Sequence, residues 1–233
     1  MVDELDATET LLVAVDCGVQ PYSEALRMQE DLLEAKLDGE RDDYLLFVTH
    51  PPVLTIGRAA SESDLDVAGK LEAEGLDVIR VSRGGRVTWH GPGQIVGYPI
   101  IALAEDSRDL HAHLRKMETG IIAALADFSI PAHVVAGKTG VWIAGKKIAA
   151  IGIAVRSWVT YHGFAINLTS DLAQFRRFSP CGLSPDIVGS ITAAGYAIDE
   201  SRLKQSLARA IAERLHRKLV WLRDMPALKH NRV

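Results

Sequence analysis

Residues 132–168, "AHVVAGKTGVWIAGKKIAAIGIAVRSWVTYHGFAINL", decide the fold class. Four extended pieces follow one another here: "AHVV", "GVWIAG", "KKIAAIGIAV" and "YHGFAINL". The Ala144-Gly145 step between two of them reads as a hairpin turn. No helical period interrupts the run. Strands that come in groups, rather than in strict alternation with helices, favour an α+β fold with a mixed or antiparallel sheet over a doubly wound parallel one.

The flanks fit that reading. Upstream, "TLLVAVD" (10–16) predicts a strand, and Tyr22 to Lys36 predicts a helix with Ala25, Met28, Leu32 and Leu33 on one face. Strands are expected at 43–50, at 51–58 after a double-proline break, and at 77–82; a short helix is expected at 66–75. The strand at 95–103 contains Pro99, which suggests an edge or a bulge. Leu110, Leu114, Met117, Ile121 and Leu125 predict a helix from about Ser107 to Phe128, capped by Asp106 or Ser107. A short helix is expected at 171–178 behind Asp171. A last amphipathic helix is expected over 200–219, with Leu203, Leu207, Ile211 and Leu215 at spacings of four.

The chain of 233 residues is long enough for a single domain, 1–233, with a core that needs no metal or disulfide. Its net charge of −4 argues against nucleic-acid binding. The sum hides an asymmetry: residues 1–43 hold thirteen acids and three bases, residues 202–233 nine bases and two acids. Two solvated helical faces, or a basic patch for an acidic partner, would both account for it. The acidic start lacks the apolar core of a signal peptide, and no run reaches the ~18 apolar residues a membrane span needs. A cytoplasmic protein with no membrane association is expected. Two cysteines 164 positions apart make no disulfide framework.

The chemistry-bearing residues fall in three places. "RGGRVTWHGPGQ", Arg83 to Gln94, is rich in glycine and hydrogen-bonding side chains, as loops lining a site are. It is neither a dinucleotide fingerprint nor a P-loop. "GKKIAAIGIAV", 145–155, starts with two lysines, and strand alternation puts Lys146 and Lys147 on opposite faces. Either both are solvated at a hairpin mouth, or one is held in a pocket. Cys181, in "RFSPCGLSP" (177–185), sits in a turn-rich loop where a structural thiol has no purpose. A nearby cation would raise its small thiolate fraction, and a lysine of the 146–147 hairpin is the better candidate than Arg176 or Arg177. His50, His90 and His162 stand in turn-like contexts and either line a pocket or are satisfied locally. No histidine spacing suits a metal, and no nucleophile elbow is present.

Taken in order, "HPPVLTIGR", "RGGRVTWHGPGQIVGYPI", "GKTGVWIAGKKIAAIGIAV", "YHGFAINL" and "FSPCGL" resemble the lipoyl(octanoyl) transferase family from about Tyr22 to Ile191. The resemblance implies a fold like that of biotin and lipoate protein ligases: a mixed sheet with flanking helices and a smaller sheet. It implies a cysteine/lysine dyad, with Cys181 as acyl-thioester nucleophile and Lys147 as the lysine that lowers the thiol's pKa. It also implies an acyl-binding segment of Arg83, Gly84, Gly85, Arg86, Val87, Thr88, Trp89 and His90. Two further segments are Ala150, Ile151 and Gly152, and Gly163, Phe164 and Ala165. The implied donor is octanoyl-acyl carrier protein. The implied acceptors are apo lipoyl domains of 2-oxoacid dehydrogenase complexes and the glycine-cleavage H protein. No metal or cofactor is implied, and a monomer is expected. The competing expectations are an ATP-dependent ligase of the same fold, which needs no cysteine nucleophile, and a non-catalytic binder of acylated proteins.

Overall fold

A computed structural model describes residues 10–178 and 184–225. The chain builds an eight-stranded mixed sheet in the order β11-β1-β2-β6-β10-β9-β8-β7 and a three-stranded sheet in the order β4-β3-β5. The large sheet holds β1 (Leu11–Val19), β2 (Asp43–Thr49), β6 (Gln94–Ile100), β7 (His133–Val135), β8 (Lys138–Ile143), β9 (Lys146–Arg156), β10 (Val159–Asn167) and β11 (Lys218–Leu222). The small sheet holds β3 (Val53–Ile56), β4 (Asp77–Arg80) and β5 (Val87–His90). The helices are α1 (Tyr22–Leu37), α2 (Glu62–Ala73), α3 (Leu110–Ala126) and α4 (Glu200–Leu215). The α+β class follows: β1 is parallel to both β2 and β11, and β2, β6, β10, β9, β8 and β7 pair antiparallel.

Strand alternation divides the core between the two faces of the large sheet. Leu12, Ala14, Leu45 and Phe47 pack with Met117, Ile121, Leu207 and Ile211 of α3 and α4. Val13, Val15, Leu46 and Val48 point the other way, towards Ala25, Leu32 and Leu33 of α1. The small sheet has its own core, in which Leu54, Val87 and Trp89 meet Ala68 and Leu71 of α2 and the rings of Phe175 and Phe178.

Four sequence expectations need correction. The strand with Pro99 is interior, between β2 and β10, not at an edge. Its ladder to β10 stops at Phe164↔Gly97 and resumes as the bridge Ala102↔Val159 in the same register. Pro99, which has no N–H to give, lies inside this gap. The Thr160 hydroxyl donates to the Pro99 carbonyl (2.9 Å) and accepts from the Ile101 N–H (3.1 Å). Gln29 of α1 accepts from the His162 N–H at 2.9 Å. A proline is thus tolerated mid-sheet because side chains replace the missing ladder bonds.

The second correction concerns caps. α2 begins at Glu62, four residues earlier than expected, because Ser61 and Asp64 form a reciprocal capping box. α3 is capped by Asp109, whose carboxylate accepts from the N–H groups of His111 and Ala112, while Glu105–Ser107 form a separate 3-10 turn. Thirdly, the helix expected over 171–178 is only a 3-10 turn at Gln174–Arg177 behind the Asp171 turn.

The fourth correction is the C-terminal strand. α4 ends at Leu215, His216 takes a left-handed cap (φ 56°), and "KLVWL" becomes β11 beside β1 rather than more helix. This placement brings some of the asymmetric charges together: Lys204 with Asp16, and Arg217 with Asp43. Asp43 is fully buried, is also paired to Lys36 at 3.1 Å, and accepts from the Ala102 N–H. Arg202, Arg209, Arg214, Lys218 and Arg223, by contrast, lie exposed, as on a solvated face.

Candidate active site

The ladder gap around Pro99 opens on the α1 face of the large sheet, where the loop from β4 to β5 crosses β9. Gly84 N–H donates to the Ile153 carbonyl at 3.0 Å, pinning that loop to the strand. Close approach explains two of the glycines. A Cβ on Gly152 would lie 3.0 Å from the Gly84 carbonyl, and one on Gly163 only 2.0 Å from the Gly97 carbonyl. The result is a pocket with about 470 Å³ of non-atom space, the open solvent at its mouth included.

Arg83, Gly84, Gly85, Thr88 and His90 line it from one side, Ala150, Ile151 and Gly152 from β9, and Gly163, Phe164 and Ala165 from β10. Tyr22, Val96, Tyr98 and His162 complete the wall. The three segments singled out in the sequence therefore converge. Three of their members face elsewhere. Val87 and Trp89 are buried in the core of the small sheet, where Trp89 makes an edge contact with Phe175. The Arg86 guanidinium is taken by Asp64 and Ser61 at the start of α2. In β5, alternation sends Thr88 and His90 to the pocket and Val87 and Trp89 to the core.

The pocket's polar atoms form a connected, uncharged network apart from Arg83. Asn167 Nδ2 donates to the Gly189 carbonyl at 2.9 Å, so its Oδ1 is the acceptor of Gln94 Nε2 at 2.9 Å. Gln94 Oε1 then faces His90 Nδ1 at 2.7 Å, which makes that nitrogen the protonated one. His90 Nε2 is left to accept from the Thr55 hydroxyl at 3.4 Å, whose oxygen accepts from Arg83 Nη2 at 2.8 Å. His50 donates from Nδ1 to the Gln20 carbonyl (2.8 Å) and accepts the Tyr98 hydroxyl at Nε2 (2.6 Å). His162 Nε2 bonds Ser82 at 3.0 Å, and Tyr22 OH stands 3.5 Å from its Nδ1. Burial pushes His50 and His162 down to about 4 and His90 to about 3, and lifts the Tyr22 hydroxyl to about 12. At neutral pH these histidines and the Tyr22 phenol are neutral, which leaves Arg83 as the charged group of the pocket wall among the described residues.

Tyr22 and Tyr98 were invisible as pocket residues in the sequence. Tyr22 begins α1 and Tyr98 lies within β6, and neither was singled out for a ligand. Gln94 stood in the glycine-rich segment, but nothing in the spacing paired it with Asn167.

Lys147 is the second residue of β9 and is half-buried; its side chain crosses Gly140, where an added Cβ would fall 2.6 Å from Cε and 3.4 Å from Nζ. Among the described residues its ammonium makes no hydrogen bond or ion pair. Lys146 points away and donates to the Asp186 carbonyl at 2.6 Å. Cys181 lies outside the described residues. The chain that follows it runs along β9: Val188 bridges Lys147 in parallel, and the Gly189 N–H donates to the Lys147 carbonyl at 3.0 Å. Arg176 and Arg177 lie on the preceding 3-10 turn, Arg177 paired to Glu74 at 2.5 Å. Among the described residues no group of acidic, histidine or cysteine side chains is arranged to hold a metal, and no helix is long and apolar enough to cross a membrane.

Comparison with known proteins agrees with this architecture. Residues 21–212 match the lipoyl protein ligase A/B catalytic domain family. The chain is 42% identical over 199 residues to an octanoyltransferase of Geobacter sulfurreducens, covering 85% of this chain and 82% of that one. In structure it resembles a lipoate-protein ligase A solved with ATP (TM-score 0.72, 19% identity, covering 94% of this chain and 90% of that one). More distantly it resembles a biotin protein ligase from Aquifex aeolicus (TM-score 0.53, 14% identity, covering 88% and 70%). With the mixed sheet, the small satellite sheet and the pocket between them, these matches place the chain in the octanoyltransferase family, on the lipoate and biotin protein ligase fold.

Proposed function

We propose that this chain transfers an octanoyl group from octanoyl-acyl carrier protein to a lysine of an apo lipoyl domain, through a thioester on Cys181. The observation that carries the reading is the largely apolar pocket, with Arg83 its charged lining residue, on which members of the segments Arg83–His90, Ala150–Gly152 and Gly163–Ala165 converge, in a chain 42% identical to an octanoyltransferase. The acceptor lipoyl domains are those of 2-oxoacid dehydrogenases and the glycine-cleavage H protein. The whole chain, 1–233, acts as one catalytic domain and monomer in the cytoplasm, with no metal or cofactor.

In the first step the Cys181 thiolate attacks the donor carbonyl. The tetrahedral intermediate collapses, the new C–S bond remains, and the carrier thiolate leaves and takes a proton. The Lys147 side chain, unpartnered among the described residues, supplies a positive charge that stabilises the Cys181 thiolate. In the second step the neutral acceptor amine attacks the acyl-enzyme carbonyl, the C–S bond breaks, and the proton lost by the amine ends on the released Cys181 sulfur, which regenerates the thiol. Exchange of one thioester for another is close to isoenergetic, so no ATP is consumed, and ping-pong kinetics result.

Intact-mass analysis after incubation with octanoyl-acyl carrier protein tests this. One octanoyl adduct, mapped to Cys181, labile to hydroxylamine and discharged by apo lipoyl domain, is expected. An ATP requirement with free octanoate and no adduct would instead establish an adenylating ligase.

A further inference from the structure

Gly189, eight residues beyond Cys181 in sequence, is fixed beside Lys147 from two sides. On one, Gly189 N–H donates to the Lys147 carbonyl. On the other, Asn167 Nδ2 donates to the Gly189 carbonyl at 2.9 Å, and Ile191 N–H donates to the Asn167 carbonyl at 2.9 Å. Asn167 and Gln94 are both buried, and their amides bond each other and His90. Of these residues only His90 lines the acyl pocket. Neither amide side chain can attack a carbonyl or carry a proton. Two buried amides are tolerated because each polar atom is satisfied, and a network satisfied in this way specifies one arrangement of its members.

We infer that Gln94 and Asn167 are positioning residues, a buried amide relay that ties the acyl-pocket wall at His90 to the Gly189 backbone and so holds that backbone in one register beside Lys147. This rests on the acyl-transfer reading above. The relay is directional. Gly189's carbonyl can only accept, which fixes the orientation of both amides and the protonated nitrogen of His90. An acyl chain that presses on His90 is therefore registered at Gly189.

Hydrogen exchange and single-turnover acylation on the full chain test the relay. Asn167→Ala should speed exchange at the Gly189 and Ile191 amides and leave α3 and α4 unchanged. It should slow acylation by about 100-fold, the scale of a small misplacement of reacting groups, with donor KM unchanged. Asn167→Asp keeps the volume and the acceptor for Gln94 but turns an oxygen on the Gly189 carbonyl; it should be as slow as Ala. Octanoic acid, used as the probe, should protect the Gly189 amide in the native chain and not in Gln94→Met. Wild-type acylation by Asn167→Asp, or equal protection in Gln94→Met, would overturn the relay. The exchange measurements need no turnover, so the relay stands or falls on them even if the octanoyl reading fails.

Discussion

Arg86 Nε donates to Asp64 Oδ2 at 2.7 Å, and Asp64 is nearly sealed from solvent. This pair closes the capping box of α2, so an arginine that the sequence places in a ligand-binding segment fastens the small sheet to its helix. Arg86→Ala should destabilise the fold by about 1–3 kcal/mol, because it strands a buried carboxylate. Donor KM should hold steady. Urea titration and steady-state kinetics check this; a raised KM at unchanged stability would return Arg86 to the acyl site.

Gly152 and Gly163 predict different costs. Gly163→Ala would drive a methyl into the Gly97 carbonyl 2.0 Å away. Separation of the two strands follows, with a loss of about 1–3 kcal/mol. Gly152→Ala meets the Gly84 carbonyl at 3.0 Å, which a small loop shift relieves, and adds its methyl to the pocket wall. That variant should fold and favour hexanoyl over octanoyl donors, read as a ratio of kcat/KM values. An unchanged ratio would show that the chain does not pass Gly152.

Acid should unfold this protein early. His50, His90, His113 and His162 are all buried with pKa values pushed down to between about 3 and about 4, chiefly by burial. Below about pH 6.5 the unfolded chain takes up protons that the folded chain refuses, so stability falls as pH drops towards 4. Each histidine contributes up to about 1.4 kcal/mol per pH unit in that window. Denaturation midpoints at pH 7.5 and 5 measure the slope, and His113→Phe should reduce it. A flat profile between these values would mean that the imidazoles charge in place.

Lys147→Met tests the dyad directly. Iodoacetamide at pH 7 reads Cys181 with little interference, because burial raises the Cys17 thiol to about 11. The variant should alkylate more slowly, with its midpoint moved up towards the ordinary thiol value of about 8.5, and should lose octanoyl transfer. Alkylation unaffected by the change would separate Lys147 from the thiol.

The local signals in the chain were sufficient for most elements. Hydrophobic period marked α1, α3 and the β7–β10 run, because that pattern acts within a few residues, although the cap expected for α3 lay two or three residues too early. The glycine-rich segment 83–94 was legible as close-approach backbone, the segments 150–152 and 163–165 were implied by the family resemblance, and the structure brings members of all three to one pocket. What the sequence did not carry is every outcome set by partners distant along the chain. β11 forms because β1 lies beside it, more than 200 residues away in sequence, and that neighbour outweighs the helical period of α4. Arg86, Val87 and Trp89 leave the pocket because the small sheet turns alternate side chains to its own core. Tyr22 joins the site from α1 and Tyr98 from β6, and Gln94 meets Asn167 because β6 and β10 pair those two residues directly. Composition and period fix which segments are buried and extended; long-range strand pairing decides which of their side chains meet, since each pairing sets the facing of every residue along it.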